Sequence, residues 1–377
     1  MLVFLGVSSA LLGAIHYYLW IRLIRDTALP APWRAIATAV LLVLALTVPL
    51  SLAMTRSYRP GESRLLYFVG YGWMGFMFLL LVGNALGELV KLASWAMSHD
   101  AAPDAERRTV LARFVGAGVA LVGAGVGTLG TLAAYRPELK RITVPLAKLP
   151  AAMSGLKIVQ LSDIHIGPTI GKEHLARLVA TVNALNPDLV AITGDLVDGS
   201  VSALASQVAP LAELRAKHGV FFVTGNHEYY SGAAEWCAHL ATLGIRVLRN
   251  ERVAIDGIDL AGVDDFRADG LAEGHRHDPD RALEGRDKDR AVVLLAHQPK
   301  SMHDAIRHGV GLQLSGHTHG GQIFPWNFLV RLDQPLVDGL HRVADTWIYV
   351  SRGTGFWGPP MRVGAAAEVT EITLVSA

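Results

Sequence analysis

The chain has 377 residues, 51% of them hydrophobic and only 18% charged, with a net charge of +1 and a mean hydropathy of +0.34. That balance excludes a protein that is soluble throughout; a lone cysteine, Cys237, excludes an internal disulfide framework or a cysteine-built zinc site, and the lack of a Lys/Arg tract excludes a nucleic-acid footprint. Residues 1–100 hold 11 of the 67 charged side chains, whereas 13 of the 15 histidines begin at His165, so an apolar first part precedes a second part that carries the chemistry.

In chain order, four stretches lack Asp, Glu, Lys and Arg: about 1–21, 35–55, 65–87 and 114–135. Each meets the roughly 20 residues that a helix needs to cross a hydrocarbon core of about 30 Å. Tyr17, Tyr18, Trp20, Trp33, Tyr67, Tyr71, Trp95 and Tyr135 fall near the ends, where amphipathic rings favour the headgroup layer. The first stretch reads as a retained span rather than a cleaved signal, because Arg22 and Arg25 follow its apolar run instead of preceding it. The fourth carries Gly116, Gly118, Gly123, Gly125, Gly127 and Gly130, which lets neighbouring helices approach closely. His16, Asn84 and the Glu88/Lys91 pair read as structural polar groups, not as a transport path. A bundle of about four transmembrane helices, multi-pass in the cell membrane, is therefore expected over 1–136.

Seven Lys/Arg in one set of loops against six in the other leave orientation open; Arg56 is among the six. Arg107-Arg108, just before the fourth stretch, resembles an internal twin-arginine export signal. On that reading everything after Tyr135 is extracytoplasmic.

Over 137–377 the pattern changes. Pro137, Pro145 and Pro150 mark an extended linker, and apolar runs follow at Leu156 to Leu161, Leu189 to Thr193, Val220 to Thr224, Ile258 to Val263, Ala291 to Ala296, Leu312 to Leu314 and Trp347 to Val350. Helix-compatible stretches such as Lys172 to Leu185 and Ser202 to Lys217 lie between some of them. Continuous apolar strands alternating with helices predict an α/β domain with buried sheets.

Polar clusters stand at the carboxyl ends of these runs: Asp163 and His165 in SDIHIG, Asp195 in GDLVD, Asn226 and His227 in GNHE, His297 after Ala296, and His317 and His319 in SGHTHGG. Open α/β sheets form their ligand crevice at that edge. In extended backbone, residues i and i+2 project to one side, so Asp163 with His165, and His317 with His319, are each expected to aim two ligands at one point. Imidazole plus carboxylate suits Zn, Fe or Mn. Two carboxylates, one amide and four imidazoles exceed one open site and suit two metals. Asp198, His218, His239, His303 and His308 read as caps or loop hydrogen-bonders.

The order Asp-x-His, Gly-Asp, Gly-Asn-His, His, Gly-His-x-His resembles the calcineurin-like metallophosphoesterase superfamily, over about Leu146 to Ala377. The resemblance implies a four-layer α/β sandwich, two mixed sheets flanked by helices, with two divalent ions (Mn, Fe or Zn) between the sheets. It implies Asp163, His165 and His319 as ligands of one metal, Asn226, His297 and His317 of the other, Asp195 as the bridge, and His227 as the catalytic proton donor to the leaving group. A hydroxide held by the two metals would attack phosphorus. GVDD, containing Asp265, and SRGTG, containing Arg352, together with Arg362, resemble blocks of the membrane-linked branch, the YkuE/YaeI-like and transmembrane metallophosphoesterase-domain proteins; Arg352 and Asp265 are the expected substrate-binding residues. Phe356, Trp357, Pro359, Pro360 and Met361 form either core or a lip that meets membrane lipid.

The function expected is hydrolysis of a phosphodiester or pyrophosphate, lipid-linked or nucleotide-glycolipid substrates such as UDP-2,3-diacylglucosamine being those the resemblance brings. That glycolipid requires a cytoplasmic catalytic face, unlike the twin-arginine reading. The alternatives are an inactive membrane scaffold or receptor, which should have lost a ligand or the proton donor, and a phosphoprotein phosphatase.

Overall fold

The computed structural model describes residues 2–55, 57–98 and 104–377; Met1, Arg56, His99 and the side chain of Trp95 lie outside the described residues. The chain separates into a helical unit (Met1–Met54, Ser63–Thr131, Gly358–Met361) and an α/β unit (Thr55–Glu62, Leu132–Trp357, Arg362–Ala377).

The apolar stretches are helical. They are α1 (Leu2–Trp20), which runs on through a wider π turn at Ile21–Arg25, α2 (Ala31–Thr55), α3 (Leu65–Ser98) and α4 (Ala105–Ala134). Among the described residues, four segments, Gly6–Arg25, Ala31–Thr55, Leu65–Ala93 and Glu106–Ala134, are long and apolar enough to cross a membrane. Helices α2, α3 and α4 extend past the charge-free stretches because charged side chains at their ends do not stop a helix. Leu19, Val48, Trp73, Met77 and Leu80 form the unit's buried cluster.

The polar residues of these helices find partners. His16 donates from Nδ1 to Leu12 O at 2.8 Å and accepts from Trp73 Nε1 at 2.9 Å; Asn84 donates to Leu80 O; Glu88 pairs with Lys91 and with Arg22. The expected role of the α4 glycines is met in part: a Cβ on Gly123 would come 3.3 Å from Phe76, but Gly118 and Gly125 face open space. The tightest approaches involve α3, where a Cβ on Gly70 would lie 2.0 Å from Ser51 Oγ and one on Gly83 2.8 Å from Val119.

In the α/β unit the elements are β1 (Glu138–Leu146), β2 (Leu156–Leu161), α5 (Lys172–Ala184), β3 (Leu189–Thr193), α6 (Val201–Val208), β4 (Val220–Val223), α7 (Asn226–Ser231), α8 (Ala233–Thr242), β5 (Arg246–Val247), β6 (Glu251–Ile255), β7 (Ile258–Gly262), α9 (Pro279–Leu283), β8 (Ala291–Leu295), α10 (Met302–Arg307), β9 (Leu312–Ser315), α11 (Asn327–Val330), β10 (Gly339–Val343), β11 (Thr346–Val350) and β12 (Glu368–Ser376). Two six-stranded mixed sheets result, ordered β1-β12-β2-β3-β4-β5 and β10-β11-β9-β8-β7-β6. All seven expected strands are present.

Two expectations change. The proline-marked linker contains β1, which pairs in parallel with β12 from Glu138↔Glu368 to Leu146↔Ser376. It is an edge strand, and there Pro145 is tolerated although it has no N–H to offer a ladder. The helix expected over Ser202 to Lys217 stops at Val208 and gives way to a 3-10 turn, Ala209–Glu213, because Pro210 removes a helical hydrogen bond.

One face of each sheet supplies the central core: Ile158, Leu189, Ala191, Phe221 and Ile372 from one sheet pack with Leu260, Val293, Leu295, Leu314 and Tyr349 from the other. Val292 and Leu294, on the opposite face of the second sheet, pack with Ala282 and Leu283 of α9 and Ala305 of α10. Helix α5 buries Leu175, Leu178, Val179 and Val182, a stripe at i, i+3, i+4 and i+7. Sheets in the middle and helices outside make the four layers. Strands β2, β3 and β4 are parallel neighbours in one sheet, and β7, β8 and β9 in the other, so their carboxyl ends lie together along the edge of each sheet.

Candidate metal centre

Every candidate ligand stands within a few residues of the end of one of these strands. Asp163 and His165 follow β2, Asp195 follows β3, Asn226 opens α7 after β4, His297 follows β8, and His317 and His319 follow β9. The backbone there is not extended. Asp163, His165, Asp195, His317 and His319 all have positive φ, between 52° and 73°. Non-glycine residues enter this left-handed region at a cost, and clusters of them mark functional sites. The tight turns are held by cross-loop bonds: Asp163 N to Gly194 O at 3.0 Å, His165 N to Asp195 O at 3.1 Å, and Gly316 N to His297 O at 2.9 Å. The expectation that each pair aims at one point is therefore only half met, and for a different reason. Asp163 and His165 do converge, but His317 and His319 turn into separate groups.

Among the described residues, three groups have ligand atoms within 4.8 Å of one another: Asp163, His165 and His319; His165, Asp195 and His227; Asp195, His297 and His317. Asp195 belongs to two of them. Its Oδ2 lies 3.1 Å from His297 Nε2 and 3.9 Å from His165 Nε2, while His165 Nε2 is 3.1 Å from His319 Nε2, itself 3.5 Å from Asp163 Oδ1. Asn226 Oδ1 and His317 Nδ1 are buried without a hydrogen-bond partner, and His297 Nε2 faces the Asp195 carboxylate. Buried polar atoms are normally satisfied, so two unpartnered ones on these strand-end turns, together with a carboxylate that joins two groups, fit a site built for cations. The electrostatics agree. Burial pushes the Asp163 carboxyl up, and Asp195 adds to this although imidazoles oppose it; Asp195 is held down by His297, His227 and His165 against its own burial.

His227 is held from two sides. Its backbone N–H donates to Asp195 Oδ1 at 2.9 Å, and its ring Nδ1 lies 2.6 Å from Asp198 Oδ1. The same Asp198 oxygen is 3.2 Å from His165 Nδ1. Burial opposes a charge on His227, but Asp195 and Asp198 outweigh it and push the imidazole up to about 9. Asp198 thus binds both rings, where a cap or loop hydrogen-bonder was expected. The signal was present: Asp198 stands three residues after Asp195 in GDLVD.

Arg352 and Asp265 are not in these groups. Arg352 Nε donates to Glu368 Oε2 at 2.7 Å, and Asp265 is buried, accepting from Gln298 Nε2 at 3.0 and 3.1 Å. Two side chains brace the site: Glu228, which the sequence did not single out, and Arg362, which stood in a family-like block without an assigned role. Buried Glu228 accepts from the backbone N–H groups of Gly225, Asp195 and Leu196 at 2.7 to 3.0 Å, and burial beside Asp195 pushes it up to about 8. Arg362 is buried; it donates to the carbonyls of His319 at 2.7 Å, Arg352 at 2.6 Å and Gly355 at 3.0 Å, and its Nη2 lies 3.1 Å from His319 Nδ1. Burial lowers its guanidinium to about 9. Phe356 is core, edge-on to Tyr135 at 5.1 Å, whereas Trp357 is half-exposed with its ring 5.7 Å from His227.

A profile of the calcineurin-like phosphoesterase family matches residues 156–321, the span from β2 to the last candidate ligand. The chain is 39% identical to the transmembrane protein with metallophosphoesterase domain of Danio rerio, over 98% of its own length and 88% of that protein's. The chain belongs to the calcineurin-like metallophosphoesterase family. It is 41% identical to the Bos taurus protein of the same name, over 84% of this chain and 75% of that one, and 32% identical to the uncharacterized metallophosphoesterase YkuE of Bacillus subtilis, over 69% and 93%. This metallophosphoesterase is thus a phosphoester hydrolase, with transmembrane segments and with His/Asp clusters able to hold metal.

Proposed function

We propose that this metallophosphoesterase hydrolyses a phosphodiester or pyrophosphate bond at a two-metal site, anchored to the cell membrane through residues 1–136 and acting through 137–377. The observation that carries this is Asp195, which joins two groups of buried Asp and His ligand atoms, with Asn226 Oδ1 and His317 Nδ1 left buried and unpartnered on the strand-end turns. Asp163, His165 and His319 would hold one divalent ion, Asn226, His297 and His317 the other, and Asp195 would bridge. An oxygen and nitrogen donor set without thiolate suits Mn, Fe or Zn. Two such ions, when bound, supply an activated water and neutralise charge on the phosphoryl oxygens.

The chain's own residues do the rest. His227, its Nδ1 held 2.6 Å from Asp198 Oδ1, would donate a proton to the departing oxygen. Asp198 fixes the ring's direction, and Glu228 holds the backbone of the Asp195 and Asn226 turns together. Of the two expected substrate-binding residues, which stand outside these groups, we keep the partly exposed Arg352 as a candidate for a substrate phosphate and assign the fully buried Asp265 a supporting role through Gln298.

The twin-arginine pair supports an extracytoplasmic catalytic face, and hence cell-envelope phosphoesters, lipid-linked ones included, over UDP-2,3-diacylglucosamine. The test uses purified full-length chain and bis-p-nitrophenyl phosphate. Turnover is expected with manganese, and His227→Ala should keep bound metal while losing about 100-fold or more in kcat. No hydrolysis with Mn, Fe, Zn or Co, or full activity in His227→Ala, refutes the reading.

A further inference from the structure

Directly after the SGHTHGG ligand block, Phe324 (54% exposed), Trp326 (49%), Phe328 (56%), Leu329 (50%) and Leu332 (83%) present large apolar side chains to the surroundings within nine residues. Soluble surfaces carry such residues singly, and a contiguous patch marks an interaction site. The segment is not loose. Phe324 N donates to Val363 O at 2.8 Å, the Phe324 and Phe328 rings meet edge to face at 5.8 Å, and a Cβ on Gly321 would lie 2.5 Å from Asn327 Cα, so the backbone is fixed while its side chains point outward. The apolar surface continues to the site: Gln322 exchanges two hydrogen bonds with the backbone of half-exposed Trp357, whose ring adjoins His227.

Charge accompanies the patch. A cleft of about 560 Å³ beside it is lined by Phe266 and by Lys300, His303, Asp304, Arg331 and Asp333. Asp333 neutralises Lys300 and faces Arg267, whereas Arg331 makes no ion pair among the described residues. Exposed Trp, Phe and Leu next to a cation is the composition of a segment that lies in the headgroup boundary of an anionic membrane. The same chain carries four helices fit to cross a bilayer, and residues 135–137 alone connect the last of them to β1. A lipid surface is therefore the apolar partner that accompanies this domain.

We propose that Phe324 to Leu332 is an interfacial anchor that seats in the headgroup layer of an anionic bilayer and holds the mouth of the catalytic site at the lipid surface. It deepens the proposed function by making the substrate one presented at a membrane, and only its kinetic consequence rests on that reading.

The test uses full-length chain with Cys237→Ser, labelled with bimane at Leu332→Cys or, as a control on the exposed hairpin between β6 and β7, at Asp256→Cys, in phosphatidylcholine/phosphatidylglycerol vesicles containing doxyl lipid. Quenching at position 332 should exceed that at 256 by about two-fold or more, and fall in phosphatidylcholine alone. Equal quenching at the two positions overturns the proposal. So does a dimer in which position 332 is shielded from aqueous iodide, because a second copy would then cover the patch. In a second arm, Phe328→Ser/Leu332→Ser should keep its rate on soluble bis-p-nitrophenyl phosphate and lose about ten-fold on a phosphodiester lipid in vesicles; equal loss on both substrates counts as a structural effect and against the anchor. Absence of all hydrolysis by the unaltered chain would sink the hydrolase reading while leaving the quenching comparison intact.

Discussion

Asp198 uses one oxygen to hold two imidazoles, one in a metal-type cluster and one in the position of proton donor. Removing its charge while keeping its shape should disturb both without emptying the site. Asp198→Asn is expected to retain metal, read by elemental analysis, and to lose about 10- to 100-fold in kcat, the range seen when partners that orient ligands are changed. His227 provides a second test through pH. Its folded value, about 9, lies above the ordinary 6.5 of histidine, so the metal-free protein gains stability from this group that is complete below 6.5 and is lost as pH rises through about 9. Thermal melts of the chelator-treated chain should show that alkaline decline, and His227→Gln should flatten it; an unchanged slope in the variant would remove His227 as its source. The roles of single residues were readable in part. Asp163, His165, Asp195, Asn226, His227, His297, His317 and His319 announce themselves as a spaced set, but Asp198, Glu228 and Arg362 act through partners distant in sequence, such as Glu228 on Asp195 and Arg362 on His319. The roles of Glu228 and Arg362 carry no local pattern, whereas Asp198 stood three residues after Asp195 in GDLVD.

At the scale of elements, the site depends on how closely the strand-end turns approach. A Cβ on Gly225 would lie 2.2 Å from Asp195 Oδ1 and 2.5 Å from Asp195 N, and one on Gly316 would lie 2.1 Å from Asp163 Oδ2. Both glycines are needed so that backbone from one strand can touch a carboxylate from the next. Gly225→Ala should displace Asp195, the residue shared between groups, so bound metal should drop and stability should fall by about 1–3 kcal/mol, the usual cost of overpacking. Calorimetry and metal analysis on the same sample check both; wild-type metal content would show that the turn relaxes without moving Asp195. The buried strands β2, β3, β4, β7, β8, β9 and β11 were legible because two-sided burial makes them continuous apolar runs. Strand β1 was not, since an edge strand half facing solvent, with a proline in it, has the composition of a linker.

For the whole molecule, the side of the membrane on which Ala377 lies decides which phosphoesters can reach the site. Arg107 and Arg108 sit in the first turn of α4, ahead of its apolar length. If they act as an export signal, a reporter active only outside the cytoplasm, fused after Ala377, should be active, and Arg107→Lys/Arg108→Lys should abolish that signal. Activity of a cytoplasm-only reporter at the same position would reverse the topology and bring nucleotide-linked glycolipids back as substrates.

The division into an apolar helical part and an α/β part, and the identities of the candidate ligands, follow from sequence alone, because span length, strand hydrophobicity and the carboxyl-end placement of polar clusters are local properties of a chain. Residue spacing did not say which ligands share a group; the resemblance implied a partition, and the fold supplies its geometry. Left-handed turns keep Asp163 with His165, separate His317 from His319, and join side chains more than a hundred residues apart, as in His165 with His319. Direction and distance in space come from packing one sheet against the other, and no one-dimensional spacing contains them.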